Sequence, residues 1–103
     1  MITVFVQFKL PQAVAPGQAR EIFLAGAPQY REIPGLIRKY YVLSEDGLTG
    51  GGVYLWKDRE HADRLYTEQW RSMVRGKYGT DPVLTYFNCP VVVDNVLEKI
   101  IAD

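Results

Sequence analysis

The stretch LIRKYYVLSEDGLTGGGVYLW, Leu36 to Trp56, decides the fold. Leu36 to Ser44 and Gly51 to Trp56 are rich in β-branched and aromatic residues and flank Glu45-Asp46-Gly47-Leu48-Thr49-Gly50. The Asp-Gly pair permits the positive φ angles of a tight reversal, so the two runs are expected as antiparallel neighbours.

Upstream, Pro34-Gly35 stops a helix expected from about Gln18 to Ile33, where Ala19, Ile22, Phe23, Gly26 and Tyr30 form one stripe at helical spacing. Before it, Ile2 to Leu10 alternates as a strand, with Val4, Val6 and Phe8 on one side and Thr3, Phe5, Gln7 and Lys9 on the other. Downstream, Asp58 can cap a helix running to about Arg75, with Ala62, Leu65, Tyr66, Gln69 and Met73 on one face and Trp70 at its margin. Asp81-Pro82 introduces a strand from Val83 to Asn88. After Cys89-Pro90 come Val91-Val92-Val93 and an expected short terminal helix, Asp94 to Asp103, with Val96, Leu97, Ile100 and Ile101 inward. The order β-α-β-β-α-β is the ferredoxin-like, split βαβ form of an α+β fold. It implies one domain over residues 1–103, in which two helices cover one face of a four-stranded antiparallel sheet.

The strands are two-sided. Val53 and Leu55 oppose Tyr54 and Trp56, Arg38 and Tyr40 oppose Lys39 and Tyr41, and Thr85 and Phe87 oppose Leu84 and Tyr86. Whichever parity meets the helices, the other leaves a broad apolar patch, and a two-fold contact with a second copy is the commonest way to cover one. A homodimer is expected.

Twelve Lys plus Arg balance twelve Asp plus Glu, so no net charge draws the chain to nucleic acid or an acidic membrane. Cys89 is alone and reads as a small buried strand residue rather than a disulfide partner or metal ligand. Met1-Ile2-Thr3-Val4-Phe5 lacks the pattern of a secretory signal, and no apolar run approaches the ~18 residues of a membrane span. The expected location is the cytoplasm.

At Gly51-Gly52-Val53-Tyr54-Leu55-Trp56-Lys57-Asp58, followed by Ala62 and Tyr66, with Pro34-Gly35-Leu36-Ile37-Arg38-Lys39 upstream, the chain resembles the YdhR-type monooxygenases of the dimeric α/β barrel superfamily. The resemblance implies a homodimer whose two sheets form a barrel, with a mostly apolar pocket in each subunit between sheet and helices. Relatives in that superfamily oxygenate aromatic compounds without metal or flavin, while others degrade haem or isomerise lactones. Fold alone does not choose among these chemistries.

The residues narrow the choice. Gly50-Gly51-Gly52 lies between two strands, where a dinucleotide fingerprint needs a strand and then a helix, so these glycines read as hairpin and bulge residues. One His and one Cys in separate elements furnish neither a metal site nor an acyl-transfer triad. Cofactor-independent oxygenation asks for less: a dry aromatic pocket, a base for a phenolic proton, and donors for the resulting anion. Tyr30, Tyr40, Tyr54, Trp56, Tyr66 and Trp70 can wall such a pocket, Arg38 or Lys39 can stabilise an enolate, and His61 is the only side chain with an unperturbed pKa near neutrality. The resulting expectation is a monooxygenase without cofactor or metal, acting on a small aromatic molecule, with His61 and Arg38 as its catalytic groups. Rival readings are a small-molecule binding or sensing dimer without turnover, and an RNA-recognition-like module whose first and third strands display Phe5, Tyr54 and Trp56.

Overall fold

A computed structural model describes residues Met1–Asp103. β1 (Ile2–Lys9) lies between β3 (Thr49–Trp56) and β4 (Val83–Asn88), and β2 (Leu36–Leu43) pairs with the other edge of β3. All three pairings are antiparallel, in the order β2-β3-β1-β4. The β2–β3 reversal forms as expected: Gly47 takes φ 74°, and Asp46 Oδ1 accepts from Leu48 N (3.0 Å) and Ser44 Oγ (2.7 Å).

Cross-strand partners share a face, so the register settles the parity. Val4 pairs with Tyr54 and Tyr86, and Tyr54 pairs with Lys39. These residues face the helices, and the core gathers there: Val4, Val6, Phe8, Tyr54, Trp56, Ala62, Tyr66, Trp70 and Val74. The opposite face presents Phe5, Tyr40, Val42, Val53, Leu55, Val83 and Phe87, with no helix over it. Because Tyr54 and Trp56 turn inward, β3 shows no ring on that face, and the base-stacking display of an RNA-recognition module is missing.

Both helical segments depart from one continuous rod. α1 (Pro16–Gly26) gives way to a 3-10 turn, Ala27–Tyr30, instead of continuing to Ile33. Pro28 removes a backbone donor there and crowds the carbonyl four residues back. The second helix splits into α2 (Arg59–Leu65) and α3 (Glu68–Tyr78). Asp58 caps α2 through His61 N (2.9 Å), and Thr67 starts α3 afresh by accepting from Trp70 N (3.2 Å). This restart turns Trp70 and Val74 inward beside Ala62 and Tyr66, whereas Gln69 and Met73, expected inside, are exposed.

The terminal helix expected over Asp94–Asp103 is instead a hairpin, β5 (Val91–Asp94) with β6 (Lys99–Ala102). Asp94 Oδ1 accepts from Val96 N (3.0 Å) and Leu97 N (2.9 Å), which closes a turn before a helix can propagate, and the β-branched residues on either side prefer strands. The Arg38–Asp94 and Met1–Asp103 ion pairs pin the hairpin to the sheet. Cys89, expected inside a strand, is partly exposed in the link between β4 and β5.

The glycine triplet is also different from expectation. Gly50, Gly51 and Gly52 sit in unbroken register opposite Phe8, Gln7 and Val6, and the one register shift lies between Leu36 and Arg38. A Cβ on Gly51 would stand 1.9 Å from the Val6 carbonyl oxygen, so glycine is required by backbone approach rather than by a bulge. Gly51→Ala is expected to destabilise the protein by about 3 kcal/mol, the upper end for overpacking, because backbone cannot move aside as a side chain can. Urea unfolding measures this; an unchanged midpoint would contradict the close approach.

Candidate active site

Two adjacent cations of β2 point in opposite directions. Lys39 pairs with Tyr54 and faces the helices, whereas Arg38 pairs with Leu55, lies on the uncovered face and is bound to Asp94. The structure therefore brings Lys39, and not Arg38, into the space between sheet and helices.

There the Lys39 ammonium is caged by aromatic faces, its Nζ lying 3.3 Å from the Tyr30 ring centroid, 3.8 Å from that of Tyr41 and 4.7 Å from that of Tyr54. Gly52 makes the place for it: a Cβ at that position would stand 3.1 Å from Lys39 Cε and 2.9 Å from Tyr54 Cε1. No carboxylate lines the chamber. Burial, reinforced by the Lys77 ammonium, pushes Lys39 from its ordinary 10.5 down to about 7. Near neutral pH this amine is available as a base.

The tyrosines move the other way. Burial raises Tyr41, Tyr54 and Tyr66 above the usual phenol value and pushes Tyr78 up to about 12, so all four remain neutral hydroxyl donors. Most donors of the layer are already engaged: Trp70 Nε1 donates to Tyr30 Oη (3.1 Å) and Trp56 Nε1 to Tyr66 Oη (3.0 Å). Tyr41 Oη is the one buried side-chain polar atom without a partner. A buried hydroxyl left open beside a neutralisable amine is an arrangement suited to receiving an oxyanion.

The chamber holds about 20 Å³ of free space, room for a single water. Beside it, between α1 and β2, runs a groove of about 560 Å³ lined by Ala19, Phe23, Leu24, Ala27, Tyr41 and Leu43. Tyr41 belongs to both spaces, its ring stacked on Phe23 at 4.9 Å and touched by Lys39 Nζ. It is the wall between them.

Among the residues singled out from sequence, Tyr30, Tyr54 and Trp70 line the chamber. Trp56 and Tyr66 form the layer next to it, with the Tyr66 ring 5.5 Å from that of Tyr54. Tyr40 lies on the uncovered face, 55% exposed. His61 sits in the first turn of α2, its Nδ1 2.7 Å from Asp58 Oδ1 and its ring against Gly35, outside the chamber. Tyr41, Lys77 and Tyr78 were not singled out, although they line it. Tyr41 was legible in principle, because its partner Gly52 leaves a large ring unopposed. Nowhere do three His, Cys, Asp or Glu side chains converge as metal ligands.

No family model and no curated protein sequence matches the chain. Solved structures do. A monooxygenase from the gene ActVA-Orf6 of Streptomyces coelicolor, in complex with nanaomycin D, superposes with a TM-score of 0.64 at 18% identity over 85% of this chain and 86% of its own. SnoaB, a cofactor-independent oxygenase from Streptomyces nogalater, gives 0.62 at 16% identity, covering 85% and 91%. An antibiotic biosynthesis monooxygenase gives 0.59 at 14% identity, covering 86% and 98%. The chain has the fold of these oxygenases. Like them it is a ferredoxin-like α+β domain, and no helix in it is long and apolar enough to cross a membrane.

Proposed function

We propose that the protein is a cofactor-independent monooxygenase, of the YdhR type within this oxygenase fold, that oxidises a small phenol or hydroquinone and works as a cytoplasmic homodimer. The observation that carries the reading is Lys39: a partly buried amine near neutrality, in an aromatic cage, beside an unpartnered Tyr41 hydroxyl. The fold of the neighbouring oxygenases and the Gly51–Asp58 motif support it.

The chemistry follows from these groups. Lys39 takes the phenolic proton, and Tyr41 Oη donates to the phenolate. The electron-rich ring carbon passes an electron to O₂, and the resulting radical pair joins to form a C–O bond. The peroxide recovers the proton from Lys39. Loss of water, made from the ring C–H proton and the outer oxygen, leaves a quinone. For a naphthol the sum is naphthol plus O₂ giving naphthoquinone plus water.

Oxygen uptake with naphthols and hydroquinones, without added metal or flavin, is expected to match quinone formation one to one. The value of kcat/KM is expected to rise with pH through about 7 as Lys39 loses its proton. Turnover that requires added flavin or metal would sink this reading. The α1–β2 groove, far roomier than the chamber, favours a second one: a ligand-binding dimer without turnover. Tight binding of an aromatic ligand with no oxygen uptake would select it.

A further inference from the structure

The chamber has a side entrance. At the edge of the sheet, between the 3-10 turn and β2, lies a surface pocket of about 440 Å³ lined in part by Tyr30, Ile37, Lys39 and Tyr41, with the exposed Arg31 and Glu32 at its rim. Tyr30, Lys39 and Tyr41 line the chamber as well, so the two spaces meet at these three side chains. Lys39 differs from every other lysine of the chain. Lys9, Lys57, Lys77 and Lys99 are exposed, whereas Lys39 is partly buried with its Nζ against the faces of three rings. The charge that acts on it is the Lys77 ammonium, and Glu32 does not offset it. An apolar setting and a neighbouring cation are the two conditions that make a lysine nucleophilic, because both favour the free amine over the ammonium.

We propose that Lys39 is also an imine-forming nucleophile and that its electrophile is an aromatic aldehyde seated in the pocket at the β2 edge. The oxygenation above uses this amine only as a base, so the proposal adds a second reaction and does not depend on the first. A pocket of this volume holds a one- or two-ring body, and Tyr30, Ile37 and Tyr41 give it apolar walls. The amine lone pair forms the C–N bond as the C=O π pair moves to oxygen. Both amine protons then pass to that oxygen, the C–O bond breaks, and water leaves. The sum is amine plus aldehyde giving imine plus water, with nothing oxidised or reduced. The chamber, with room for a single water, receives the oxygen, and the unpartnered Tyr41 hydroxyl donates to it as its charge develops.

Reductive trapping tests this: the full-length protein is incubated at pH 7 with 2-naphthaldehyde and cyanoborohydride, and peptide mapping separates the lysines from one another and from the N-terminal amine. An ordinary lysine is free amine to only ~1 part in 2,500 at this pH, whereas an amine of pKa about 7 is half free, so even after allowance for its weaker basicity Lys39 is expected to be labelled at least about tenfold faster than Lys9, Lys57, Lys77 or Lys99. The carbonyl-free 2-naphthalenemethanol is expected to slow this labelling by filling the pocket, and Tyr41→Phe to slow it about tenfold. Lys39→Met is expected to leave only the slow labelling of the other lysines. Labelling of Lys39 no faster than of the exposed lysines, or fast labelling that the alcohol does not slow, would overturn the proposal. Oxygen uptake is scored separately: aldehyde capture without uptake upholds the imine site and fails the oxygenase, and uptake from naphthol without capture does the reverse.

Discussion

Lys39→Met is expected to abolish oxygen uptake and, at the same time, to make the protein more stable. Removing the base costs about 10²- to 10⁴-fold in rate, the ordinary contribution of general-base catalysis. Methionine has nearly the shape of lysine, so the space opened by Gly52 stays filled and the Tyr30, Tyr41 and Tyr54 rings keep their neighbour. What disappears is a partly buried amine with no carboxylate lining its chamber. The fall of its pKa from 10.5 to about 7 corresponds to no more than about 5 kcal/mol of penalty on the charged form. The ring faces already return up to about 2 kcal/mol of that.

The sign with pH follows. Between pH 7 and 10.5 the unfolded chain holds a proton on Lys39 that the folded chain has released, so wild-type stability rises with pH across that window. Below 7 both states are protonated and the folded state carries the full penalty. Lys39→Met is therefore expected to melt about 10 °C above wild type at pH 6, on a gain of about 2 kcal/mol, with the difference closing towards pH 10. Thermal melts over that range check it. A variant less stable than wild type at pH 6 would mean that the ammonium is welcome in its cage, and the base would have to be sought elsewhere.

The distance between Lys39 and Arg38 in function, one residue in sequence, shows where sequence reading stops. Asp46-Gly47 announces its turn through backbone chemistry local to the residues concerned, and Asp58 and Gly79 bracket the second helical region in the same way. Face is a tertiary property. A strand whose two sides are Arg38-Tyr40-Val42 and Lys39-Tyr41-Leu43 offers no polarity contrast by which to choose, so parity is fixed only by pairing Lys39 with Tyr54. At the C-terminus the ambiguity was of period: Val96, Leu97, Ile100 and Ile101 fit a helical stripe, yet the Asp94 turn and the β-branched Val91–Val93 run select a hairpin. The cue was in composition rather than in spacing.

Val53→Lys is expected to convert the proposed homodimer to a folded monomer. Val53 sits at the middle of the uncovered face, between Phe5 of β1 and Tyr40 of β2, with Phe87 and Val83 further along the same surface. The hairpin adds Val93 and Ile100, 64% and 75% exposed, and is tied to this face by Arg38 and Asp94. A surface this apolar, on the side of the sheet no helix reaches, is of the kind that marks an interface, and in the proposed homodimer an isologous contact would bring Val53 of each copy into one buried layer. A lysine there takes an ammonium out of water on both copies without a partner, several kcal/mol each, so the dimer is expected to weaken by more than about 10³-fold. In the monomer the same lysine reaches solvent, so circular dichroism is expected to be unchanged. Sedimentation equilibrium at micromolar concentration decides it. A wild-type monomer, or a Val53→Lys dimer of undiminished affinity, would show that this face is covered by something other than a second copy. Because the Lys39 chamber lies on the opposite side of the sheet, the monomeric variant is also expected to keep its oxygen uptake, which separates assembly from turnover in one molecule.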